Sequence, residues 1–150
     1  MQKPAIFIEN ISLKDCVNGL HLFQEGRTVL IQIQDYGAKF CKPKFKDKFV
    51  NIHKFQFEDT HEESIWSNCI TDEDAALITK ILLDCLDKGL HVVVHCHAGI
   101  CRSGAVAEVG EMLGFTPTDK FKIPNTLVKR KLLKALGEID AVYENMLYKD

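Results

Sequence analysis

Residues 91–106 read HVVVHCHAGICRSGAV, and residues 95–103 alone hold two histidines, two cysteines, a glycine, an arginine and a serine. Three chemistries suit such a set: a metal site, a thiol pair, or a loop built round one reactive sulfur. Metal is the weakest of them for His91, His95, His97, Cys96 and Cys101. Neighbours on a strand point to opposite faces, so His95 and Cys96 do not easily share an ion. The spacings are also not those of zinc ligands. No metal and no cofactor are expected.

The anion-binding reading uses more of the residues. Cys96 is followed after five residues by Arg102, and then by Ser103. Between a strand and a helix, successive backbone N–H groups curl around an anion, and the helix start adds free N–H groups and a positive dipole end. Gly99 lets the loop close tightly. Arg102 offers a planar fork matched to two phosphate oxygens. The expected cradle is His97, Ala98, Gly99, Ile100, Cys101 and Arg102, with the Cys96 sulfur at its floor. Keeping a thiol ionised at neutral pH in such a place takes roughly 4 kcal/mol. A helix end supplies up to ~2 kcal/mol, and hydrogen bonds to a charged group ~1.5–3 kcal/mol each.

A frame must hold this loop. AIFIEN (5–10), RTVLIQIQD (27–35) and VNIHKFQFED (50–59) read as strands, and LHVVVH (90–95) as a fourth that is covered on both faces. ISLKDCVNGLHLF (11–23) suits a helix weakened by Gly19. Thr71 with Asp74 forms a capping box for a helix ending near Gly89. A further helix starts near Arg102 and stops by Gly114. FTPTDKFKIP (115–124) reads as a linker, Asn125 caps the next helix, and EIDAVYENML (138–147) reads as a separate last one. Alternating strands and helices predict an α/β fold. Its sheet is mainly parallel with four to five strands, it carries helices on both faces, and its ligand site lies beyond the carboxyl ends of the strands.

HCHAGICRSG resembles the signature of the cysteine-dependent protein phosphatases: His-Cys, two residues, Gly, two residues, Arg, Ser or Thr. With valines before it and small residues after, it is most similar to the dual-specificity group of the tyrosine phosphatase type. Small microbial and viral members also carry a Pro-Asn that opens a late helix, as in IPNTLVKRKLL (123–133). The resemblance implies a tyrosine phosphatase-like fold and a metal-free, two-step hydrolysis. Cys96 would attack phosphorus to give a phosphocysteine, Arg102 and the loop amides would hold the oxygens, and water would release phosphate. Ser103 would hydrogen-bond the leaving thiolate. His95 would order the loop and help to hold Cys96 ionised.

The family takes its general acid from an Asp some tens of residues upstream. Asp59, just after the third strand, is the expected acid; a positioned acid is worth ~10²–10⁴-fold. Glu58 should face the other way, Asp72 is better explained as a first-turn helix residue, and Asp35 is a rival on the rim. Cys101 has no fixed counterpart in the dual-specificity group, but the low-molecular-weight tyrosine phosphatases carry a cysteine at that spacing. It is either a redox partner of Cys96 or a small packing residue. His97 is read as a rim residue or simply exposed. Lys39, Lys42, Lys44, Lys46 and Lys48 are read as a solvated face, with a docking patch for an acidic substrate as the alternative. Trp66 is read as a loop anchor or satellite packing.

The whole chain adds bounds. Its 150 residues suggest one domain, residues 1–150. The net charge of −2 gives no global field for nucleic acid. No apolar run reaches the ~18 residues of a membrane span, and no secretory context supports pairing of the six cysteines. A cytoplasmic protein is expected. The expected substrate is a phosphorylated protein bearing phosphotyrosine or phosphoserine/threonine, because the loop lacks the lysines of phosphoinositide-directed relatives. A catalytically silent phosphoprotein-binding module, a phosphatase of non-protein phosphoesters and a rhodanese-like sulfur transferase are the alternatives.

Overall fold

The computed structural model describes residues 4–147, with side chains described as far as residue 139. Its strands are β1 (Phe7–Ser12), β2 (Thr28–Gln34), β3 (Ile52–Gln56), β4 (His91–Cys96) and β5 (Thr116–Pro117), and its helices are α1 (Leu13–Asn18), α2 (Asp72–Lys88), α3 (Arg102–Leu113) and α4 (Thr126–Leu147). The strands form one sheet in the order β3-β2-β4-β1-β5, and every pairing is parallel.

The burial pattern follows from where β2 and β4 lie. Both are interior strands, and all of their residues are buried. A parallel strand with both faces covered needs apolar residues on both sides, hence the unbroken VVV of β4. Val92, Val94 and Cys96 point into the main core with Val29, Ile31 and Ile33, and α2, α3 and α4 cover that face. Leu30 and Val93 point the other way, into a smaller core with Ile11, Cys16 and Phe49. Among the described residues, the short α1 and the segments 19–27 and 35–51 cover this second face. There Phe23 stacks on Phe45 at 4.4 Å between ring centres. Such an aromatic pair adds ~0.5–1.5 kcal/mol beyond its buried area.

The helix boundaries obey local chemistry. Thr71 and Asp74 exchange the two bonds of a capping box, and Gly89 ends α2 in the left-handed region. Gly19, with φ of 69°, stops α1 after six residues, so the helix expected over 11–23 is cut short. Two other expectations are corrected. The linker 115–124 contains β5, which pairs with β1 through Phe7–Thr116 and Ile8–Pro117. Pro117 is tolerated because β5 is the edge strand and lasts two residues. Residues 138–147 do not form a separate helix but continue α4 through Gly137. Nothing lies near the space a Gly137 side chain would fill, so this glycine costs only ~1 kcal/mol of propensity.

Candidate active site

The loop 97–101 leaves the carboxyl end of β4 and runs into α3. Its shape is set by contacts on three sides. The Leu13 N–H donates to the His97 carbonyl at 3.1 Å. Asn10 is buried and donates from Nδ2 to the Gly99 carbonyl at 2.7 Å and to that of Phe121 at 3.1 Å. The Ile100 and Cys101 carbonyls accept from the N–H groups of Ile123 and Asn125, at 3.2 and 2.9 Å. These carbonyls are thus turned outward into the protein, which leaves the loop amides free to face an anion.

Gly99 is where the loop passes closest to the sheet. Its φ is +76°, and a side chain there would meet the Ile11 carbonyl carbon at 2.3 Å and the Ser12 nitrogen at 2.4 Å. Left-handed strain and overpacking each cost ~1–3 kcal/mol for a residue other than glycine. Gly99→Ala is therefore expected to lower unfolding free energy by roughly 2–6 kcal/mol, which urea denaturation will read. A loss below ~1 kcal/mol would mean that this approach is not tight.

Cys96 is 2% exposed, and its Sγ lies 3.1 Å from Ser103 Oγ in the first turn of α3. That helix has no side-chain cap at Cys101, so its first amides are available to a ligand. Arg102 is buried as well. Its Nη1 donates to the Asp35 carboxylate at 2.7 Å and to the Phe57 carbonyl at 2.8 Å. Nε is buried and has no partner among the described residues. Nε and Nη2 share the edge of a guanidinium that matches two oxygens of one phosphate. An unpaired buried donor costs ~1–3 kcal/mol, which an anion on that edge would recover. Asp35, the rival acid on the rim, is thus the exposed counter-ion of Arg102. His97 is exposed and borders a cleft of about 130 Å³ with Leu13, Gln34, Asp35, Ala38 and Arg102.

Asp59 comes to the same rim. β3 runs parallel to β2 and β4, so the residues that follow it emerge beside the loop. Asp59 Oδ1 accepts from Asn125 Nδ2 at 2.6 Å. Asn125 in turn caps α4, its Oδ1 accepting from the Val128 N–H at 2.9 Å. Burial first, then the negative charges of Asp59 and Cys96, push the Cys101 thiol up. Glu58 is used inside its own loop, where Oε2 accepts from the Asn68 N–H. Asp72 starts α2 and pairs with Lys131, which also holds Glu63. Both carboxyls lie below their usual range because Lys131 bonds them. The pairing is therefore present at neutral pH and lost only as pH falls below that range. It ties the segment after Asp59 to α4.

Two expectations change. His95 is fully buried on the opposite face of β4, and burial holds its ring down to about 4, with Arg102 adding to the effect. A neutral ring cannot help to hold Cys96 ionised through charge; its link to the loop is a 3.4 Å contact from Nδ1 to the Cys96 carbonyl. Trp66 is 90% exposed and neither anchors its loop nor packs as a satellite. The five lysines from Lys39 to Lys48 are all exposed, as a solvated face requires.

Asn10, Asn125 and Asp35 are site residues whose importance the motif alone did not reveal. Asn10 was visible only as a polar residue inside a strand. Cys16 and Cys41 are brought next to His95, a grouping that no sequence spacing announced.

No family model matches the chain. Over 110 residues it is 27% identical to "Putative tyrosine phosphatase 123R" of Invertebrate iridescent virus 6, a match that covers 69% of this chain and 63% of that protein. It is also similar to the crystal structure of the human tyrosine phosphatase-like serine/threonine/tyrosine-interacting protein, with 25% identity, 79% of each chain covered and a TM-score of 0.51. The "mouse putative dual specificity phosphatase complexed with zinc tungstate" shares the fold at a TM-score of 0.59 and 15% identity, over 94% of this chain and 87% of the other. The chain thus spans less than two thirds of the length of the viral protein it matches, and it shares its fold with a dual-specificity phosphatase structure, around a buried sulfur under an uncapped helix start and a guanidinium with a spare edge.

Proposed function

We propose that the chain is a protein phosphatase that hydrolyses phosphotyrosine, and phosphoserine or phosphothreonine where these reach the sulfur, through a phosphocysteine. The observation that carries this reading is the buried Nε of Arg102, unpartnered among the described residues, beside a loop whose carbonyls at His97, Gly99, Ile100 and Cys101 are turned away. The phosphate would sit with two oxygens on the Nε and Nη2 edge and the rest on loop amides from His97 to Arg102. Cys96 Sγ forms the bond to phosphorus as the bond to the leaving oxygen breaks, and Asp59 gives that oxygen its proton. In the second step Asp59 takes a proton from water, the water oxygen bonds to phosphorus, and the sulfur leaves as thiolate stabilised by Ser103. Inorganic phosphate is the product. Asn125 acts as a positioning residue for Asp59.

Asp59→Asn is expected to lower kcat ~10²–10⁴-fold on phosphotyrosine peptides. The loss should be smaller on aryl phosphates whose leaving group needs no proton. Steady-state kinetics across a leaving-group series tests this; an equal loss on every substrate, with an unchanged pH profile, removes Asp59 from the acid role.

Cys101 is proposed to guard Cys96. Peroxide would oxidise Cys96 to a sulfenic acid, and the Cys101 thiol would displace water to give a disulfide. Inactivation by peroxide should then be reversed by dithiothreitol in the wild type and become irreversible in Cys101→Ser. Equal recovery of both proteins excludes the guard.

The rival that a structural feature favours is a silent phosphoprotein-binding module, because the cradle alone suffices to bind. Wild-type turnover of a phosphopeptide panel separates the two. Binding without any turnover, on aryl phosphates included, gives the module.

A further inference from the structure

Behind the phosphate loop, on the second face of the sheet, lies a cluster that the proposed reaction does not use. Cys16 of α1, Cys41 of the 35–51 loop and His95 of β4 bring two sulfurs and a ring nitrogen within 4.8 Å of one another. We propose that Cys16, Cys41 and His95 hold a zinc ion there, with the amide of Gln32 at the fourth corner.

Four observations support this. Cys41 Sγ lies 3.7 Å from His95 Nε2. A tetrahedral ion with bonds of about 2.3 Å to sulfur and about 2.0–2.1 Å to nitrogen sets such ligands about 3.5 Å apart. The Nδ1 contact to the Cys96 carbonyl assigns the ring proton to Nδ1 and leaves the Nε2 lone pair facing the sulfurs. Donation of the other ring N–H to a backbone carbonyl is the usual second contact of a metal-bound histidine. Gln32 is the cross-strand partner of His95. Its amide nitrogen lies 3.1 Å from His95 Nε2 and 3.6 Å from Cys41 Sγ, and its Oε1 is buried with no partner among the described residues. Turning the amide over puts that oxygen where it completes the set, at the cost of the bond from the amide nitrogen to the Cys41 carbonyl.

Charge selects the ion. The site is buried at Cys16 and His95 and half-buried at Cys41. A divalent cation with two thiolates and a neutral imidazole sums to zero, so no unpaired charge is buried. A monovalent soft cation would leave the site at −1. Binding exchanges two thiol protons, released to solvent, for two metal–sulfur bonds. The ion would join α1, the 35–51 loop and the end of β4, one residue before Cys96. Its role would be structural, and the inference does not depend on phosphatase activity.

The test uses the full chain with reduced thiols, and zinc itself as the probe. Cys96→Ser and Cys101→Ser remove the two thiols of the phosphate loop as competing sites. The expected result is one equivalent of zinc in wild type and in both of these variants. It should be lost in Cys16→Ser and Cys41→Ser, with cobalt giving thiolate charge-transfer bands in the same proteins that bind zinc. Melting of Cys96→Ser should shift upward with added zinc, and that of Cys41→Ser should not. Should the two back-face variants misfold, cobalt bands in Gln32→Leu and His95→Gln supply the readout: His95→Gln should lose the tetrahedral signature. Zinc retained in Cys16→Ser and Cys41→Ser but lost in Cys96→Ser would put the ion in the phosphate loop and overturn the proposal. So would a stoichiometry near zero, or a Cys16–Cys41 disulfide that forms in place of metal binding.

Discussion

Cys96→Ser should abolish turnover, lowering kcat by at least about 10⁴-fold, on the scale of removing a covalent nucleophile, while phosphopeptide affinity stays within several-fold of wild type. The reasoning separates the two roles of the loop. On the proposed mechanism, binding would rest on Arg102, the loop amides and the start of α3, none of which the substitution touches. By the same mechanism, catalysis would rest on a polarisable sulfur at the floor of the cradle. A serine hydroxyl is a far weaker nucleophile, because an alcohol is much harder to deprotonate than a thiol. Single-turnover kinetics and calorimetry on one phosphopeptide read both effects. A variant that keeps more than about one hundredth of wild-type kcat would require a nucleophile other than Cys96.

Arg102→Lys should cost about 10³–10⁵-fold in kcat/KM, the range seen when an arginine is withdrawn from a transferring phosphoryl group. A lysine keeps the charge but not the shape. Arg102 uses Nη1 to grip the Asp35 carboxylate and the Phe57 carbonyl at once. That grip fixes the plane in which Nε and Nη2 meet the phosphate. One ammonium cannot serve both the grip and the ligand. The buried Phe57 carbonyl would lose its donor, so KM should rise as kcat falls. Asp35 is itself largely exposed, so solvent screens its hold on the buried guanidinium. It therefore orients the guanidinium without competing seriously with a phosphate dianion. Equal kinetics for the wild type and Arg102→Lys would mean that charge alone acts at this position.

The same site shows what a single sequence reveals. The strand, tight loop and helix around Cys96 were legible because their signals are local: a β-branched run, a glycine where the chain must turn, small residues that open a helix. α2 was legible for the same reason, its cap and stop being written in Thr71, Asp74 and Gly89. What escaped is non-local. Asn10 and Gln32 look like polar interruptions of strands until their partners arrive from residues 99, 121 and 95. The pairing of Arg102 with Asp35 depends on β2 lying next to β4. β5 carries a proline and lasts two residues, too little to register as a period. Gly137 looked like a helix end, yet an exposed glycine is cheap beside the packing of Leu127, Val128, Leu132 and Ala135 that holds α4 in place.

The ties of the loop also say when the site comes into being. Asn10 bonds to Gly99 across 89 residues and to Phe121 across 111, while Asn125 closes on Asp59 from the far end of the chain. Such distant closures form slowly and late. During synthesis the residues from Asp59 to Arg102 would all have left the ribosome before Phe121, Ile123 and Asn125, the last partners that fix their geometry. A nascent chain is therefore expected to carry an inert, unshaped loop until α4 emerges. Cutting the chain anywhere between the two asparagines separates parts that only a whole fold can align.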